Sequence, residues 1–205
     1  WSHKGKRNQL TDLHVVGGRI YLTLSGEEDT IDGGWLVDGS WAPQIKEKLA
    51  LRQYPINETD VLVGRVYGDT PKSDGDLRVF SGTEPSRTLE TLRGVRAIEM
   101  GDLNGDGHEE LLVSDGWHFQ YGSNALARVK LFIGPSFEDA RIVAGFDDDY
   151  TVNRLEVHRS GGPEAVILAQ GAKNAYILRR DDLGWESQNL GPIGDRGNAV
   201  LTYGN

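Results

Sequence analysis

Gly101-Asp102-Leu103-Asn104-Gly105-Asp106-Gly107-His108-Glu109-Glu110-Leu111-Leu112-Val113 is the stretch that decides how the rest of the chain is read. Asp102, Asn104 and Asp106 place oxygen-bearing side chains at alternate positions, and Gly105 and Gly107 give the run the backbone freedom to curl. A hard cation such as calcium takes six to eight oxygen ligands, and a curled run of this kind delivers them. Counting from Asp102, positions 1, 3 and 5 are Asp102, Asn104 and Asp106; position 7 is His108, through its backbone carbonyl, and position 9 is Glu110. A hairpin turn rich in Asn-Gly and Asp-Gly is the simpler alternative. Three spaced acceptors with a fourth at position 9 exceed what a turn requires.

An EF-hand loop begins in the same way but needs a bidentate Glu at position 12 and helices on both sides. Here position 12 is Val113, and the flanks, Val95 to Met100 and Leu111 to Val113, are short apolar runs that read as strands. The ligands therefore end at Glu110, in a loop joining two strands. This pattern resembles the calcium loop of FG-GAP (VCBS-type) repeats of integrin-like β-propellers. The resemblance is strong over Val95 to Val143 and weak elsewhere. It implies that the loop joins the first and second strands of a blade, that the ion is calcium, and that its role is structural. By the same resemblance its ligands are Asp102, Asn104, Asp106, His108 and Glu110; Glu109 would point away, although the adjacent Glu-Glu pair leaves the choice between them open.

A unit consisting of a short apolar strand ending in glycine recurs along the chain. Its copies end at Gly26, Gly68, Gly116, Gly171 and Gly204, with intervals of 42, 48, 55 and 33 residues. Those intervals lie close to the roughly 40–50 residues of a propeller blade. A further strand follows each of the first four, at Trp35-Leu36-Val37, Leu77 to Gly82, Val129 to Gly134 and Ala175 to Leu178. Last elements fall at Ile45 to Leu51, Thr88 to Leu92, Ala140 to Val143 and near Trp185 to Leu190, and leading strands at Leu13 to Val16, Val95 to Met100 and Leu155 to His158. The second leader is the least distinct, near Tyr54 to Thr59. Pro43 to Arg52 is the only stretch that tempts as helix. The expectation is an all-β fold, a β-propeller or a large part of one, of about five four-stranded repeats with the last incomplete. Residues 1–205 read as one propeller domain, either closed by Trp1 to Leu10 or a piece of a larger propeller. A pair of immunoglobulin-like sandwiches is the rival fold, and it does not explain five copies of one unit. A propeller fragment left unclosed would expose sheet faces.

Composition narrows the function. The net charge of −9 argues against nucleic acid as a partner. No run approaches the roughly 18 apolar residues of a membrane span. There is no cysteine, so neither a disulfide framework nor thiol chemistry is available. No two histidines have zinc-ligand spacing; His14 and His158 lie within strands, where a lone His is usually at the surface or satisfied in the core. Asp147-Asp148-Asp149 precedes a leading strand instead of following it and reads as a solvated acidic turn.

Loops between second and third strands would lie on the propeller face opposite the calcium. The third of these carries Trp117, His118, Phe119 and Tyr121, beside two acidic loops. Loop aromatics are a binding signal, because water gives them no reason to be there; folding back to cap the blade is the equal alternative. The sequence therefore leads to a calcium-stabilised module for binding or adhesion. Its partner would be a protein or glycan at the aromatic loop, and its setting extracellular, cell-surface or periplasmic, where calcium is abundant. The rival class is a carbohydrate-active enzyme of lyase or dehydratase type built on a propeller scaffold.

Overall fold

The structure, a computed structural model, describes residues 9–25, 30–48, 50–66, 74–116, 126–159, 165–181 and 184–193. These residues form sixteen strands in four antiparallel four-stranded sheets, each a simple meander in which consecutive strands are neighbours. No helix occurs among the described residues. The fifth copy of the repeated unit, ending at Gly204, lies outside them, so the described fold consists of four complete sheets.

The chain divides into two compact units, Trp1–Val95 and Arg96–Asn205. The first unit holds the sheet β1 (Gln9–Val16), β2 (Arg19–Ser25), β3 (Thr30–Val37) and β4 (Ser40–Lys48). Its second sheet is β5 (Ala50–Pro55), β6 (Asp60–Arg65), β7 (Gly75–Ser81) and β8 (Glu84–Leu92). Two tight turns fix the register of the first sheet. Gly17 and Gly18 have φ of 57° and 79°, and Asp38 and Gly39 have 49° and 75°. Two consecutive left-handed residues give the backbone twist that matches a hairpin. The core of this unit joins Tyr21, Trp35 and Ile45 of the first sheet to Ala50, Val61, Val63 and Phe80 of the second. Buried Gln53 ties the two sheets: it accepts from Tyr21 Oη at 2.7 Å and donates to the Ile31 carbonyl at 3.3 Å. Gly33 makes room for this contact, since a Cβ there would lie 1.7 Å from Gln53 Oε1.

The tempting helix over Pro43 to Arg52 is two strands. Pro43 is tolerated because β4 is the outermost strand of its sheet, and because it faces Gly34 at a register shift between Gly33 and Gly34. The second leading strand is β5, Ala50–Pro55, rather than a segment near Tyr54 to Thr59. Residues 56–59 form the turn after it, where Asn57 Oδ1 accepts from the amides of Thr59 and Asp60, each at 2.8 Å.

The second unit holds β9 (Ile98–Gly101), β10 (Glu110–Asp115), β11 (Ala127–Phe132) and β12 (Ala140–Phe146) in one sheet. The other sheet is β13 (Val152–Arg159), β14 (Ala165–Gly171), β15 (Asn174–Asp181) and β16 (Gly184–Pro192). Every residue of β10 and of β14 is buried, so both faces of each strand are covered. Leu112, Val129 and Leu131 of one sheet share a core with Leu155, Ile167, Ala169 and Leu178 of the other. Ser114 Oγ accepts from the amides of Arg96 and Ala97 at 2.9 Å and pins the start of the unit to β10.

Asp149 departs from the solvated acidic turn expected for Asp147-Asp148-Asp149. Asp147 and Asp148 are exposed, but Asp149 is buried. Its carboxylate accepts from the Lys173 amide at 2.8 Å, the Asn174 amide at 3.1 Å and Tyr176 Oη at 2.7 Å. It thereby holds the turn between β14 and β15 from outside. A carboxylate that accepts three donors carries its charge into the interior without leaving lone pairs unmatched.

Candidate metal loop and the strand ends opposite it

The loop between β9 and β10 starts just after Gly101 and ends at Glu110, as the spacing of the sequence requires. Gly105 and Gly107 have φ of 82° and 90°, the left-handed values that let the chain coil back. The loop is organised by its own side chains. Asp102 accepts from the amides of Gly105 at 2.7 Å and Gly107 at 3.1 Å. Asn104 Oδ1 accepts from the Asp106 amide at 2.8 Å, and Asp106 Oδ1 accepts from the His108 amide at 2.8 Å. The His108 and Glu109 side chains are exposed, whereas Glu110 is only 2% exposed.

Glu110 closes the loop from below. It accepts from the Leu103 amide at 2.7 Å through one oxygen and from Asn104 Nδ2 at 2.9 Å through the other. The same Asn104 Nδ2 donates to Asp106 Oδ2 at 2.9 Å, so a single amide group bridges two carboxylates. Burial raises the Glu110 pKa above its ordinary value, and the negative charges of Asp106 and Asp102 push in the same direction. The hydrogen bond from Leu103 and the charge of Arg180 oppose them. The ionised loop thus gathers negative charge with little positive charge to balance it.

Two features decide how such a loop suits a cation. Its donors are all oxygens, the chemistry a hard divalent ion takes. Yet among the described residues no three His, Asp or Glu side chains converge closely enough to hold a metal ion. Asp102 and Asp106 are turned onto backbone amides, and Asn104 Nδ2 occupies the point between Asp106 and Glu110 where positive charge is wanted.

The loop that follows β10 includes Trp117, His118, Phe119 and Tyr121, which lie outside the described residues. The strand ends beneath such loops are described, and they carry ion pairs that sequence reading missed. At the close of β10, Asp115, 1% exposed, pairs with Arg128 across the ladder to β11. In the first unit, buried Arg65 at the close of β6 reaches Asp76 at 3.4 Å and Glu47 at 3.7 Å, and Arg78 holds Asp76 at 2.8 Å. A charged residue ending an otherwise apolar strand, with its opposite a few residues into the next strand, is the signal that could have found them.

The strand histidines are also paired. His14 lies 3.4 Å from Asp12 and stacks on Tyr54 with ring centroids 4.4 Å apart. His158 lies 3.1 Å from Glu156, which also pairs with Arg154. Each carboxylate is two residues before its histidine, on the same face of the strand.

Four meandering four-stranded sheets, built on a repeat of blade length, make this a β-propeller fold. Among solved structures, the chain is similar to the Dos1 propeller, with a TM-score of 0.55 and 14% identity over 90% of this chain and 48% of that one. It is also similar to a Bacteroides fragilis protein assigned as a 6-phosphogluconolactonase, with a TM-score of 0.52 and 12% identity over 89% of this chain and 54% of that one. The chain therefore spans about half the length of these two solved chains. No family model matches the chain, and no curated protein does. Among the described residues no helix is long and apolar enough to cross a membrane.

Proposed function

We propose that this chain is a calcium-stabilised β-propeller segment of the FG-GAP/VCBS type, serving as an extracellular binding or adhesion module. The observation that carries the reading is the buried Glu110 carboxylate, bridged to Asp106 by the Asn104 amide and raised in pKa by burial and by neighbouring acids. A divalent cation would replace that amide bridge with a full countercharge. Asp102, Asn104, Asp106 and Glu110 would hold it through side chains and His108 through its carbonyl. Asp102 and Asp106 would have to release backbone amides to do so, and this cost favours millimolar over micromolar affinity. Such affinity suits an extracellular, cell-surface or periplasmic setting. The partner would be a protein or glycan engaged by the loop that carries Trp117, His118, Phe119 and Tyr121.

The binding half of the reading is tested separately from the metal half. A glycan and protein array probed with the chain is run beside a product assay on the same ligands. Binding without turnover, lost in a Trp117→Ala/Tyr121→Ala variant that keeps its melting temperature, supports the module. Turnover that persists through purification overturns it in favour of a carbohydrate-active enzyme. Unchanged binding in the folded variant removes the aromatic loop from the site.

A further inference from the structure

Asn104-Gly105 is the one Asn-Gly pair in the chain, and it stands in the loop between β9 and β10 with both residues exposed. An asparagine followed by glycine is chemically labile. The next backbone nitrogen can attack the side-chain amide carbon, and glycine has no side chain to hinder it. The loop arranges each participant in that reaction. The nucleophile is the Gly105 nitrogen, whose N–H already donates to the Asp102 carboxylate at 2.7 Å. The group attacked is the Asn104 side-chain carbonyl, whose Oδ1 accepts from the Asp106 amide at 2.8 Å. That bond closes a turn whose ring contains both Asn104 Cγ and the Gly105 nitrogen, which keeps the two near each other. The leaving group is Asn104 Nδ2, which donates to Asp106 Oδ2 and Glu110 Oε1, each at 2.9 Å.

We propose that Asn104 is a site of spontaneous deamidation, promoted by the loop's own hydrogen bonds and needing no enzyme. As the Gly105 nitrogen bonds to Asn104 Cγ, its proton passes to the Asp102 carboxylate, a general base already in place. The Asp106 amide stabilises the negative charge that builds on Oδ1, as an oxyanion hole does. The Asp106 and Glu110 carboxylates stabilise the positive charge on Nδ2 as it takes up that proton. The bond from Cγ to Nδ2 then breaks, and ammonia leaves with the proton that Gly105 gave up. The cyclic imide left behind takes up one water. Opening at the side-chain carbonyl gives aspartate, and opening at the backbone carbonyl gives isoaspartate; no oxidant or cofactor takes part. Either product removes the donor that bridges Asp106 and Glu110 and adds a carboxylate beside them, so the metal-free loop is loosened. None of these steps requires calcium.

The test is a time course of the whole chain at neutral pH in chelator, sampled by peptide mapping and mass spectrometry. Replacement of ammonia by water gives a mass gain in the peptide that spans residue 104. The same chain unfolded in guanidinium chloride, with the same buffer and temperature, supplies the rate of the sequence without its loop. The native chain is expected to deamidate at Asn104 faster than the unfolded chain by about threefold or more. Asp102→Ala, with its fold checked by circular dichroism, is expected to bring the native rate down towards the unfolded rate and to leave the unfolded rate unchanged. Asn104→Gln is the control for assignment and should show no gain at that position, because its longer side chain forms the ring poorly. A native rate equal to or below the unfolded rate overturns the proposal, and this comparison decides it even if Asp102→Ala fails to fold. A native rate that is undiminished in folded Asp102→Ala overturns it as well.

Discussion

Replacing Asp149 with alanine removes a carboxylate that three donors share. The Lys173 and Asn174 amides and the Tyr176 hydroxyl, at 2.8, 3.1 and 2.7 Å, all lose their acceptor. A buried donor left without a partner costs about 1–3 kcal/mol. The tyrosine hydroxyl sits in the core and should approach the upper figure, while the two turn amides are part-buried and partly regain water. The expected loss is about 3–4 kcal/mol, a large fraction of the stability of a domain of this size. Asp149→Asn keeps one acceptor oxygen and should lose about half as much. Asp147→Ala, two residues away and exposed, should change stability by no more than about 0.5 kcal/mol. Urea unfolding followed by circular dichroism gives all three values. The close approach of Gly171 adds an independent check, since a Cβ there would lie 2.3 Å from Asp149 Oδ2. Gly171→Ala should therefore destabilise the wild type more than it destabilises Asp149→Ala. If Asp149→Ala costs no more than Asp147→Ala, the carboxylate does not hold the turn and the account of this joint is wrong.

Gly33→Ala should cost about 2–4 kcal/mol by overpacking and by displacing the hydrogen bond between Tyr21 and Gln53, and a Gln53→Ala background should recover part of the loss. Asp60 accepts from Ser81 Oγ at 2.7 Å and Asn57 Nδ2 at 3.0 Å, and the Ser81 bond first and the Asn57 bond second hold its pKa below the ordinary 3.8. Its stabilising contribution is complete above 3.8 and is lost as pH falls through the lowered value, so Asp60→Asn should flatten the acid limb of the stability curve there. Glu110 has the opposite sign. Its raised pKa means that, without calcium, stability falls as pH climbs from the ordinary 4.5 through the raised value. In chelator, Glu110→Gln should therefore lack that decline, and its stability should change less than wild type over the same window in a pH series of thermal melts.

The repeated strand-plus-glycine unit made the blades legible, because an all-buried central strand such as β10 or β14 must be a continuous apolar run. The β9–β10 loop was legible for a different reason: alternating oxygen side chains with glycines between them have few other uses. What stayed hidden depended on contacts distant in sequence. Pro43 lies in a strand only because β4 is an edge, and edge position is a property of the sheet. Asp149 is indistinguishable from Asp147 and Asp148 until Tyr176, 27 residues on, closes over it. Arg65 reads as an interruption of a strand until Glu47 and Asp76 are found around it.

The claim on which the functional reading rests is that the loop from Asp102 to Glu110 binds calcium. Thermal unfolding of metal-free protein, with calcium added and then chelated, in wild type and Glu110→Gln, tests it most directly. An ion that binds only the folded state adds about 2.7 kcal/mol at a hundred times its dissociation constant. The account predicts a calcium-dependent rise in melting temperature in wild type, reversed by chelator and absent from the Glu110→Gln variant. A wild type indifferent to calcium, or a rise that persists undiminished in the variant, would contradict it and leave the loop a turn held together by its own Asp and Asn side chains.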